Sequence, residues 1–153
     1  MSLPMEILAG FVGGIVTGLA IEYFRFKHSL KVEKIKRLSP YLESAYPLVE
    51  KLSNDTGYAV NAQLDDDDEC SRILKKVAVS IEEYSRWFVQ FRTDGMMPEL
   101  DSIDPDLLSR FVGMFSYARL CREHGLEYLS QNIQRLSQYC RTCRQMLKSR
   151  LSD

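Results

Sequence analysis

The sequence predicts an all-α protein: a single N-terminal transmembrane helix followed by a cytoplasmic, antiparallel four-helix bundle. Three observations carry this. An uncharged apolar run lies near the N-terminus, a basic cluster follows it at once, and the rest of the chain holds apolar residues spaced alternately three and four apart.

The apolar run is Met5–Phe24, MEILAGFVGGIVTGLAIEYF, with no charge from Ile7 to Ile21. Twenty helical positions reach roughly 30 Å at ~1.5 Å per residue, the thickness of a hydrocarbon core. Glu6 and Glu22 mark the edges, and Tyr23, Phe24 and Phe26 form an aromatic group of the kind found at membrane interfaces. No basic side chain precedes the run. After it, residues 25–37 carry Arg25, Lys27, Lys31, Lys34, Lys36 and Arg37 against Glu33 alone. The positive-inside bias then puts the N-terminus outside and everything from Arg25 onward in the cytoplasm. A signal peptide has the opposite order, with its bases ahead of the apolar run. Arg25, Lys27, Lys31 and Lys34 are the residues expected to meet lipid headgroups.

Within the run Gly10, Gly14 and Gly18 recur every four residues. Lipid tails give helices no hydrophobic reason to associate, so small residues that let two backbones approach are the usual contact. These three glycines are the expected helix–helix contact, with a second copy of the chain as the first candidate partner.

Residues 1–28 are assigned to the anchor and its basic flank and residues 29–153 to the bundle. The first bundle helix, about 30–53, shows Ile35, Leu38, Leu42, Ala45, Val49 and Leu52 on one seam. Ser39-Pro40 reads as an N-cap with proline at the first helical position, which predicts a break or kink, and Pro47 predicts a second bend. Asn54-Asp55-Thr56-Gly57 reads as a stop. The acid run Asp65–Glu69 lacks the spaced ligands and turn glycine of a calcium loop, and acids ahead of a helix suit its N-terminal dipole.

A second helix, about 70–92, has Cys70, Leu74, Val77, Ile81, Tyr84, Phe88 and Phe91 as its seam, with Trp87 beside it. Thr93-Asp94-Gly95 ends it, and MMPELDSI (96–103) reads as a loop capping the bundle. Asp104-Pro105 is an N-cap followed by proline at N1 and starts a third helix, about 105–123. Its expected seam is Leu108, Phe111, Phe115, Ala118 and Cys121. His124-Gly125 closes it with a glycine suited to a left-handed C-cap. The fourth helix, about 126–150, carries Leu126, Leu129, Ile133, Leu136, Cys140, Cys143 and Leu147. So short a connection forces helices three and four into an antiparallel hairpin.

Net charge is −1, but it is unevenly spread. Residues 54–106 hold thirteen acids against five bases, and residues 107–153 hold eight bases against Glu123, Glu127 and Asp153. An acidic middle and a basic end can pair inside a bundle. No basic stretch is interleaved with stacking aromatics, so nucleic acid is not an expected partner.

One set of residues raises the question of chemistry. Cys121, His124, Cys140 and Cys143 spell C-x2-H-x15-C-x2-C, a zinc-like spacing in a loop-rich chain. In a helical hairpin Cys121 stands beside the turn and Cys140 roughly 20 Å along the returning helix, too far for a shared ion. Free cysteines at seam positions behave as small hydrophobes, and a cytoplasmic location keeps them reduced. The chain has no phosphate-binding glycine loop and no serine-nucleophile motif. No cofactor, no metal and no enzymatic activity are expected. The functional expectation is a membrane-anchored scaffold or adaptor that binds an unidentified protein through its bundle. A metal- or thiol-redox sensor is the alternative.

Overall fold

The computed structural model describes residues 5–62 and 67–152, with side chains described from Gly13 to Ala62 and from Glu69 to Ser152. These residues form four helices and no strand: α1 (Met5–Asn61), α2 (Asp67–Thr93), α3 (Met96–Ile103) and α4 (Pro105–Ser152). The chain divides into two compact units, Met1–Lys36 and Arg37–Asp153.

In the second unit the helices turn on one another in a bundle-like arrangement. Along α1, Tyr41, Ser44, Lys51 and Asp55 bond in order to Asp94, just past the end of α2, and to Trp87, Glu83 and Ser80 of α2. Rising numbers meet falling ones, so this part of α1 and α2 are antiparallel. The same holds for α2 with the first half of α4, where Phe91 lies 6.0 Å from Phe111, Phe88 lies 4.6 Å from Phe115, and Glu82 holds Arg122 at 2.8 Å. At Gly125 the backbone takes φ 78°, ψ −164°, and α4 folds back. Asp104 then meets Arg150, Ser109 meets Tyr139, and Arg110 lies over the Tyr139 ring. Gly125 is thus not the left-handed C-cap expected of it. Its ψ puts it in an extended mirror-image region that is essentially closed to residues with a Cβ.

The core is continuous. Tyr84, Phe88 and Phe91 of α2 pack with Phe111 of α4, and Leu38, Ala45, Val49 and Leu52 of α1 join them, each at most 2 % exposed. The seam expected on α2 is buried from Leu74 to Phe91, while Cys70 is half-buried. On the first half of α4 the buried stripe is rotated by a residue. Leu107 and Met114 take the centre, and Leu108, Phe115 and Cys121 are only half-buried. Ile35, expected on the first seam, is 44 % exposed and belongs to the other unit.

Several expected boundaries are corrected. α1 neither breaks nor restarts at Pro40 or Pro47; both lie inside the helix. They are seven residues apart and exposed, opposite the buried stripe. A carbonyl deprived of its partner by proline is there open to water, and the curvature that proline induces suits a helix convex toward solvent. Nor does α1 stop at Ser53. Thr56 is fully buried with its hydroxyl donating to the Leu52 carbonyl of its own helix at 2.7 Å, and Asp55 accepts from Ser80 of α2 at 2.6 Å, so the last turns are held by burial and a tertiary bond. The loop expected at 96–103 is helix α3, which buries Leu100. Pro98 sits in its first turn, where a missing N–H costs nothing. Helix α2 begins at Asp67 rather than 70, and the side chains of the Asp65–Asp68 run lie outside the described residues.

Among the described residues no helix is long and apolar enough to cross a membrane, so the expected span Met5–Phe24 is without support there. Described side chains begin at Gly13, and only Gly13–Ile21 remain before Glu22, Arg25 and Lys27.

Two glycines separate backbone need from mere space. Replacing Gly125 by alanine is expected to lower stability by about 1–3 kcal/mol, because a Cβ is strained at that φ and ψ. Gly57 is helical, and a Cβ there would meet nothing nearer than Ser137 Oγ at 4.0 Å. Gly57→Ala is expected to raise stability by about 0.5–1 kcal/mol. Urea midpoints followed by Trp87 fluorescence check both; equal shifts of one sign would contradict the assignment.

Candidate functional site

The residues expected to carry function fall into two groups, and the structure treats them differently. The first group is the N-terminal segment of α1. Ile15, Val16, Leu19, Ile21, Tyr23, Phe24 and Phe26 are all large, apolar and between 47 % and 67 % exposed. At 100° per residue they point around most of the helix circumference instead of along one stripe. A helix that is apolar on all sides is stable when something apolar surrounds it. Thr17 returns its hydroxyl to the Gly13 carbonyl at 2.8 Å, a local intrahelical bond. Of the expected glycine contacts, the side-chain surroundings of Gly10 lie outside the described residues. A Cβ on Gly14 or Gly18 would meet nothing within 4 Å, so this face is open.

Behind it, Arg25, Lys27 and Lys31 are exposed and Lys34 is half-buried. Lys27 Nζ lies 5.3 Å from the centre of the Tyr23 ring, and Tyr23 meets Phe24 edge-on at 6.0 Å. Arg37 departs from the group in which charge counting put it. Its guanidinium bonds Glu99 of α3 at 3.0 Å, so it belongs to the bundle. Nothing in the sequence signals that partner, which stands 62 positions away.

The second group is the thiols and histidines. All four cysteines are free; Cys140 and Cys143 are buried, and Cys70 and Cys121 are half-buried. Burial pushes the Cys121 thiol up to about 11. Burial pushes Cys143 up to about 12, against the opposing pull of the Arg110 guanidinium. Cys140 is raised further by burial and by Cys143 beside it. Tyr84 sits against this pair with its hydroxyl donating to the Phe111 carbonyl at 2.7 Å, and burial first, then the two thiols, raise it well above the ordinary phenol value. A thiol is reactive as thiolate, and this environment suppresses thiolate. His124 is exposed and contacts the Tyr128 ring at 5.8 Å. Among the described residues no three His, Cys, Asp or Glu side chains lie close enough to hold a metal ion.

One surface depression of the bundle, about 450 Å³ between α1 and α2, is lined by Asp55, Tyr58, Arg72, Ile73 and Lys76. Its carboxylate is already engaged by Ser80 and faces Lys76 Nζ at 4.0 Å. No family model, no curated protein and no solved structure matches the chain.

The thiol environment has two measurable consequences. In the folded chain at pH 8, Cys140 and Cys143 are expected to resist a disulfide reagent, reacting only when guanidinium unfolds the bundle. Because folding raises these thiol values, their contribution to stability is complete below the ordinary thiol range and is lost as pH rises toward about 12. Denaturation midpoints should therefore fall above pH 9, and Cys143→Ala should flatten the fall. Rapid labelling of Cys143 at pH 8 under native conditions would show that the burial is not real.

Proposed function

We propose that the chain is a membrane-anchored, non-enzymatic adaptor: the N-terminal segment spans a bilayer once, with the N-terminus outside, and a cytoplasmic four-helix bundle engages a protein partner. The observation that carries the reading is the exposure of large apolar side chains around the circumference of α1 from Ile15 to Phe26. Exposed apolar surface of this extent marks a membrane or protein contact. The apolar run Met5–Phe24, uncharged from Ile7 to Ile21, has the length of a span, and the basic cluster behind it gives the orientation. Gly10, Gly14 and Gly18 fit self-association within the bilayer.

The adaptor reading draws on the bundle. Its aromatic side chains fill the core, and its buried thiols are held in the unreactive form, which leaves helix surfaces as the means of action. The thiol-sensor alternative has that same burial against it.

Extraction of membranes from cells making the full chain tests the anchor. Alkaline carbonate should leave the wild type in the membrane. Ile15→Arg places a charge mid-run at about 2.5–3.5 kcal/mol, enough to shift the chain on the order of a hundredfold toward the soluble fraction. Release of wild type and variant alike would end the anchor reading. Gly14→Leu should weaken cross-linking between copies in the membrane without altering bundle unfolding; unchanged cross-linking would remove the glycine face as a contact.

A further inference from the structure

We infer that the α1 segment from Glu22 to Lys36 is a docking surface for anionic phospholipid headgroups; the inference rests on the membrane reading above and names the lipid class it selects. The segment is helical throughout, so its charges stand in fixed register instead of trailing in a loop. It holds Arg25, Lys27, Lys31, Lys34 and Lys36 against Glu22 and Glu33, and Arg37 is excluded by its bond to Glu99. Arg25, Lys27 and Lys31 are exposed and form no ion pair among the described residues.

Tyr23 and Phe24 just before these bases, and Phe26 and Leu30 between them, are each at least 40 % exposed. Bulk water suits the charges and penalises the aromatics, and hydrocarbon does the reverse. A headgroup layer meets both needs: rings and aliphatic stems reach inward while ammonium and guanidinium groups remain among phosphates. The contact between Lys27 and Tyr23 shows that pairing in miniature, a cation held over an amphipathic ring. The excess of bases over acids selects anionic over zwitterionic lipid. Attraction of this kind extends about a Debye length and weakens with salt.

The test uses the full chain, diluted from detergent onto vesicles of phosphatidylcholine alone or with 30 % phosphatidylserine, an amount on the order of that in a cytoplasmic leaflet. The variant is Arg25→Gln/Lys27→Gln/Lys31→Gln, which leaves the bundle untouched. Phosphatidylserine should strengthen wild-type binding, and either the variant or 0.5 M salt, where the Debye length is roughly 4 Å, should remove most of the gain. At about fivefold per charge, the triple variant should lose on the order of a hundredfold on the anionic vesicles and little on the neutral ones. Lys27→Arg/Lys31→Arg should bind like the wild type. Equal binding of wild type and variant to both vesicles would overturn the headgroup inference and leave the anchor standing. Absence of wild-type binding to either vesicle would overturn both.

Discussion

Gly125 sets the geometry on which the bundle depends. At φ 78° and ψ −164° its backbone reverses α4 within a single residue, and both flanking segments stay helical. A longer loop would reverse the chain too, but would leave the two halves free to slide. Here the register is held toward the open end of the hairpin. Near the start of α4, Asp104 accepts the Leu107 amide at 3.2 Å as an N-cap, and its other oxygen accepts from Arg150 Nε, 46 positions away. Closer to the turn Tyr139 bonds the Ser109 carbonyl, and its ring fills the space above Gly113, where a Cβ would come within 2.0 Å of the hydroxyl oxygen. The close approach at Gly113 and the reversal at Gly125 ask for glycine for different reasons, one for room and one for backbone angle.

Once α4 is doubled back, α2 has a groove to fill, and its aromatic stripe fills it. Trp87 stacks on Phe91 at 5.0 Å and meets Phe111 edge-on at 5.1 Å, while its indole N–H donates to Ser44 of α1. One side chain thereby touches three parts of the bundle. The Tyr84 hydroxyl reaches the Phe111 carbonyl from inside the core, where an unpaired phenol would cost about 1–3 kcal/mol. These polar contacts add little net stability, but they distinguish this packing from alternatives in which the same rings are rotated.

The bundle was legible in the sequence to the extent that its helices are periodic. The α2 stripe alternates strictly between three and four, its core face is wide, and every seam residue from Leu74 to Phe91 is buried. Asp104-Pro105 fixed the start of α4 to the residue, because an acid N-cap followed by proline has few other uses. Local rules failed where tertiary contacts override them. Pro40, Pro47 and the Asn54–Gly57 stretch look like helix breakers until the burial of Thr56 and the bonding of Asp55 are known. The Met96–Ile103 helix has too few residues for periodicity to show. The rotation of the α4 stripe toward Leu107 and Met114 depends on packing against residues distant in the chain, which no window of neighbouring sequence contains.

Charge shows the same division between composition and placement. The acidic middle and basic end do meet, as Glu82 with Arg122 and Asp104 with Arg150. The basic flank behind the apolar run is not one set, because Arg37 goes to Glu99 and leaves Arg25 through Lys36 to a different environment. That split falls at the boundary between the two compact units. On one side of it apolar residues are gathered into a stripe and buried; on the other they are spread around the helix and exposed. A stripe is what a sequence needs when the partner is another helix in water. A wide apolar distribution followed by exposed cations such as Arg25, Lys27 and Lys31 is what it needs when the surroundings change along the helix axis from apolar to charged. The two units thus differ in how their apolar residues are arranged: the bundle buries its stripe, and the N-terminal segment leaves its large apolar side chains exposed.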